Sequence, residues 1–106
     1  MGESTLAPSY LRTSIARWNL DLYSAEAESI FRQIETEGVA VFRKQPGFIS
    51  YRLMRSDTAT TVAVAEWQSE ELGKVGAERY REWMRSVGIM ERLKLETHAG
   101  EIVAKS

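Results

Sequence analysis

Few side chains in this sequence have a type and position suited to chemistry. Trp67, in VAVAEWQSEEL, ends a valine and alanine alternation just before a helix-capping serine, Ser69. An indole there joins a large apolar surface to a single N–H donor, which suits it to holding a carbonyl or oxyanion in a dry site. Arg79 is the second candidate. It falls between Val75 and Trp83 on an apolar helical stripe, where a guanidinium meets an anionic or phenolate ligand, stacks on Trp83 or Trp67, or buries its stem and sends its charge to water. Tyr80 beside it reads either as an acid or base or as core with its hydroxyl at the rim. His98, the only histidine, alternates with Glu96 and Lys94 and so faces solvent or an interface. No carboxylate or histidine spacing resembles a metal site or a catalytic triad, and GKVGAERY lacks the glycine spacing of a phosphate loop. Neither metal nor cofactor is expected.

Composition narrows the partners. The 106 residues are 43% hydrophobic, which fits one globular domain, expected over 12–106 behind a flexible N-terminal arm at 1–11. Lys and Arg total 14 against 15 Asp and Glu, a net charge of -1 that argues against nucleic acid or an anionic membrane as partner. Cysteine is absent from the chain, so thiolate metal sites and disulfides are excluded. MGESTLAPSY has no signal-peptide pattern, and no run approaches the ~20 apolar residues of a membrane span. A cytoplasmic location is expected.

The elements that must position these residues follow from periodicity. TSIARWNLDL, Thr13 to Leu22, alternates as a strand. Ser24 is an N-cap, after which Ala27, Ile30, Phe31, Ile34, Gly38, Val41 and Phe42 recur at helical spacing until Gln45, where Pro46 and Gly47 end the helix. GFISYRL then forms a second strand, SDTAT a hairpin loop and TTVAVAEWQ a third strand. Ser69 caps a second helix with buried stripe Leu72, Gly76, Tyr80, Trp83, Val87 and Met90, ending near Gly88. LKLETHAGEIVAK supplies a last strand, with Gly100 a candidate break. The order β-α-β-β-α-β predicts an α+β, ferredoxin-like fold: a four-stranded antiparallel sheet with two helices on one face.

Strands two and three carry apolar groups on both faces. Strict alternation puts Ile49, Tyr51 and Leu53 on one side of the second strand, and Val62 and Val64 on one side of the third. Two helices cover only one side of such a sheet, so these five residues predict a homodimer joined through the opposite face. On the helix side, Gly38 and Gly76 lie mid-stripe, where glycine costs about 1 kcal/mol relative to alanine. With Ala63 and Ala65 opposite and Trp18, Trp67, Tyr80 and Trp83 around them, they imply either close packing or a cavity for a small aromatic ligand.

ARWNL in the first strand, QPGFISYRLMRS after a long helix, and VAVAEWQSEEL together resemble the antibiotic-biosynthesis-monooxygenase-like domains of the dimeric α/β-barrel superfamily. The resemblance spans roughly residues 13 to 105 and implies the ferredoxin-like fold, the sheet-to-sheet homodimer and a pocket tryptophan at Trp67. The superfamily includes cofactor-independent oxygenases of phenols and quinols, as well as haem-degrading enzymes. The latter place an asparagine where this chain has Trp18, and a histidine where KVGAERY has none. Oxygenase relatives place an asparagine and a tyrosine where Ala63 and Gly73 stand.

Two functions remain open. The first is a cofactor-independent monooxygenase acting on a small phenol- or quinol-like substrate, with Trp67 and Arg79 as catalytic groups and Trp18, Gly38, Ala63, Ala65, Gly76, Tyr80 and Trp83 around the substrate. The second is a non-catalytic homodimer of the same fold that binds a small ligand or serves as a scaffold.

Overall fold

The computed structural model describes residues 8–106. Residues 1–7 of the expected arm lie outside the described residues, and its last two, Tyr10 and Leu11, already belong to the first strand. That strand, β1 (Tyr10–Trp18), lies nearer the N-terminus than alternation alone indicated. Leu20 and Leu22 continue the alternation, but Leu22 is buried within the connection, its N–H bonded to the Thr58 carbonyl at 2.8 Å. The apolar pattern persists because the loop packs inward.

Ser24 caps the first helical rod, its hydroxyl accepting the Ala27 N–H at 3.2 Å. The rod consists of α1 (Ala25–Gln33), a π-helical turn (Ile34–Gly38) and α2 (Val39–Arg43). An uninterrupted α-helix rotates a position four residues on by about 40°. The wider π turn, in which the Val39 N–H reaches back to the Ile34 carbonyl, absorbs part of that drift. Ile34, Gly38 and Phe42 therefore all stay buried.

β2 (Phe48–Arg55), β3 (Thr60–Trp67), α3 (Glu70–Ser86), a 3-10 turn (Ile89–Arg92) and β4 (Leu93–Glu101) complete the chain. The strands pair antiparallel in the order β2-β3-β1-β4. Gly100 does not break β4, which stays in register with Leu11 there. This is the ferredoxin-like α+β architecture expected from the element order.

β2 departs from strict alternation. A bulge between Phe48 and Ser50 inserts one residue, so Phe48 pairs with Trp67, Tyr51 with Ala65 and Leu53 with Ala63. One extra residue inverts every side chain beyond it. Tyr51 and Leu53, expected at the dimer face, instead point toward the helices, while Ile49 at the bulge and Met54 are exposed. Val62 and Val64 lie on the outer face beside Ile15 and Thr13 of β1. The doubly apolar character of β2 thus arises largely from the bulge.

Candidate functional site

Between the sheet and the helices lies a cavity of about 70 Å³. Its floor is Arg12, Ser14, Ala16 and Trp18 of β1 with Thr61, Ala63, Ala65 and Trp67 of β3, and Tyr51 and Leu53 close the β2 side. Ile34, Phe42, Tyr80, Arg81 and Met84 roof it. A groove of about 500 Å³ adjoins it between α1 and β2, and Ile34, Tyr51 and Leu53 are walls common to both.

Aromatic rings knit the roof to the floor. Phe42 stacks on Tyr80 with ring centroids 4.3 Å apart and lies 4.6 Å from Tyr51. The Tyr51 and Tyr80 hydroxyls are 3.5 Å apart. Burial raises both phenols above the ordinary tyrosine pKa, so each is a neutral hydroxyl at neutral pH.

Trp67 is fully buried, and its Nε1–H has no hydrogen-bond partner among the described residues. Gly73 and Gly76 of α3 seat the ring. A Cβ on Gly76 would come within 2.1 Å of the Trp67 Cη2, and one on Gly73 within 3.0 Å of its Cδ1. Leaving a buried N–H unpaired costs about 1–3 kcal/mol, so helix and sheet hold the indole close against that cost.

Arg12 stands beside it. Arg12 pairs with Ala65 across the β1–β3 ladder, and its Cδ lies near Gly73. Its Nε–H is likewise buried without a partner. Burial, followed by the charge of nearby Arg81, holds the Arg12 guanidinium below its ordinary pKa, and Glu70 offsets only part of this. Arg81 donates to Thr97 Oγ1 at 3.2 Å.

The structure brings together Trp67, Trp18, Ala63, Ala65 and Tyr80 around the cavity. It separates the others. Arg79 is exposed and pairs with Glu82 at 3.3 Å, because the buried stripe of α3 runs through Gly73, Gly76, Tyr80 and Met84. One residue is about 100° of helix, and that rotation exchanges Arg79 for Arg81. Gly38 and Gly76 do not open the cavity: a Cβ on Gly38 would come within 2.8 Å of Trp83 Cζ3, and Gly76 faces Trp67. They are places where helices and rings meet closely. Trp83 fills the space over Gly38 and packs on Tyr80, outside the cavity. Sequence reasoning missed Arg12, Ser14, Arg81 and Thr97. The alternation of Arg12 and Ser14 with Ala16 and Trp18 was the available signal for the first two.

Among the described residues no group of three His, Cys, Asp or Glu side chains could hold a metal, and no helix is long and apolar enough to cross a membrane. His98 is exposed and contacts Glu96 at 2.6 Å, away from the cavity.

Comparison with known proteins places this architecture. The structure is similar to SnoaB, a cofactor-independent oxygenase from Streptomyces nogalater, with a TM-score of 0.66 and 20% identity over 94% of this chain and 96% of that one. It is similar to the ActVA-Orf6 monooxygenase of Streptomyces coelicolor, solved with Nanaomycin D, with a TM-score of 0.64 and 16% identity over 94% and 90% of the two chains. A dimeric ferredoxin-like protein from an uncultured marine organism matches with a TM-score of 0.67 and 9% identity, covering 93% of this chain and 99% of that one. At these identities the likeness establishes the fold. A comparison with curated protein sequences finds no match. Residues 23–86 match the antibiotic biosynthesis monooxygenase family, more than half of the sequence, and the chain belongs to that family.

Proposed function

We propose that this protein is a monooxygenase that acts, without a bound cofactor, on a small phenol- or quinol-like substrate held between sheet and helices. The observation that carries the reading is the buried Trp67 Nε1–H, without a partner among the described residues, beside a largely apolar and aromatic cavity. An electron-rich phenolate passes one electron to O2, and recombination of the two radicals forms a ring C–O bond and, after protonation, a hydroperoxide. Loss of the ring C–H proton with the distal hydroxide then gives a quinone and water. Substrate supplies all the electrons, so a phenol and O2 become a quinone and water. The protein excludes bulk water and steadies the anionic oxygens, and an indole N–H preset for that purpose needs no reorganisation.

Among the described residues no Asp, Glu or His lines the cavity, so substrate ionisation falls to electrostatics. Arg12 and Arg81 favour a phenolate over a phenol at this site. Size sets a further condition, since 70 Å³ is under half of the roughly 150 Å³ that accommodates benzene in an engineered cavity. A ring must therefore displace side chains, and flexible Met84 and Tyr51, which separates cavity from groove, are in position to yield.

The test is oxygen consumption with 1,4-dihydroxynaphthalene and smaller hydroquinones. Trp67→Phe removes the N–H and keeps an aromatic ring, so the fold should persist with some loss of stability from the space left beside Gly76, while kcat falls about 100-fold, the usual loss for one oxyanion donor. Unchanged kcat would remove Trp67 from the mechanism.

The outer sheet face supports a homodimer. Ile15, Val62 and Val64 form an apolar centre that no helix of the described residues covers. Val64→Glu should convert a sedimenting dimer to monomer, and a monomeric parent protein would contradict this reading.

A further inference from the structure

The cavity has two unlike ends. Around Trp18 its polar groups are satisfied, since Trp18 Nε1 donates to Thr61 Oγ1 at 2.9 Å. At the Trp67 end, the register places Arg12 and Ser14 of β1 between Ala63 and Ala65 of β3 and Thr97 and Ala99 of β4. Arg81 of α3 closes that end from above. Two guanidinium groups thus converge where, among the described residues, no carboxylate lines the wall. Glu78 touches Arg81 at 3.5 Å, but from the exposed side of α3, and Glu70 influences Arg12 only through space. Next to them two buried donors, Arg12 Nε and Trp67 Nε1, have no acceptor. The chain as a whole carries a net charge of -1, so this positive end is a local construction.

From this juxtaposition we infer that the Arg12, Arg81 and Trp67 end of the cavity is a carboxylate subsite, and that the natural ligand is an aromatic acid whose ring lies toward Tyr51 and Met84. A carboxylate supplies the acceptors that Arg12 Nε and the Trp67 indole N–H lack. It also brings a negative charge to the cavity side of a like-charge pair that Glu78 and Glu70 offset only from outside the cavity. A neutral quinol would leave that pair unmatched. The inference rests on the same cavity as the oxygenase reading, yet binding can be measured without turnover.

The experiment is isothermal titration calorimetry with 2,5-dihydroxybenzoate, its methyl ester and sodium sulfate. The parent protein should bind the acid at least tenfold more tightly than the ester. Arg12→Met should bring the preference below threefold, Arg12→Lys should retain most of it, and Arg81→Met should reproduce the loss in a second element should the first variant fold poorly. Equal binding of acid and ester, no binding of either, or an acid preference that survives both methionine variants would overturn the inference. Displacement of the acid by equimolar sulfate would also overturn it, showing a general anion site. Acid binding that depends on Arg12 without oxygen uptake would leave the subsite standing and remove the oxygenase reading. Turnover of neutral hydroquinones with no acid preference would do the reverse.

Discussion

Trp18 and Trp67 line one cavity from opposite ends of the sheet and serve different purposes. Trp18 is buried with its N–H spent on Thr61, a residue only 1% exposed whose hydroxyl has no outlet to water. Trp67 is buried more completely and its N–H is spent on nothing. Physical chemistry prefers the first arrangement, because a buried polar atom without a partner opposes folding. The described residues meet the rule at one end and break it at the other, beside an Arg12 Nε with the same deficit, and on the proposed function that second end is where a ligand's acceptors would be received. Burial places both indoles in the core; their hydrogen bonds separate them.

The sharpest way to break this contrast is to disturb the seat of Trp67. Gly76→Ala should gain about 1 kcal/mol from helix propensity, yet its Cβ would collide with the indole ring at 2.1 Å. Overpacking of that kind costs about 3 kcal/mol, so a net loss of about 2 kcal/mol, roughly 10 °C in Tm for a domain of this size, is expected by calorimetry. A stabilised Gly76→Ala protein would show that the indole can move, and that its orphaned N–H is not fixed by packing.

Trp18→Phe sharpens the comparison from the other end. It strands the Thr61 hydroxyl and should lower stability by about 1.5 kcal/mol in urea titration, with kcat changed less than threefold. Trp67→Phe should instead lower kcat about 100-fold, alongside the stability loss expected from truncating a buried ring. If both variants lost turnover equally, the division of the cavity into a structural and a functional end would fail.

The smallest effect lies between the two ends, at Tyr80 and Tyr51. Burial raises both phenols in the folded state above the 10.0 of an open tyrosine. Their contribution is complete below that value, and it is lost as pH rises beyond it, because the unfolded chain then releases protons that the folded chain keeps. Tm should decline more steeply above pH 10 in the parent protein than in Tyr80→Phe. Identical slopes would mean that water reaches the Tyr80 hydroxyl.

The fold was largely legible because its signals are local. Ser24 and Ser69 cap their helices as their side chains suggest, accepting from Ala27 at 3.2 Å and Leu72 at 3.1 Å. Val62 and Val64 alternate against Ala63 and Ala65 as a pleated strand must. The site was less legible, and for specific reasons. The bulge after Phe48 turned Tyr51 and Leu53 inward, and nothing in GFISYRL marks an inserted residue. Arg79 and Arg81 flank Tyr80 symmetrically, so choosing between them needed the rotation of α3, which packing on the sheet sets. Gly38 and Gly76 signalled close approach, but whether a ring or a void met them depended on Trp83 and Trp67 arriving from other elements.

By itself the sequence determined the order of elements, the capped helices, the antiparallel sheet and the presence of an indole at the end of β3. These follow from periodicity, caps and turn residues, which act over a few neighbours. Tertiary structure alone decided which arginine enters the cavity, which face of β2 is buried and which tryptophan keeps a free donor. Each of those depends on register and rotation between elements distant in sequence, so no short stretch of the chain contains it.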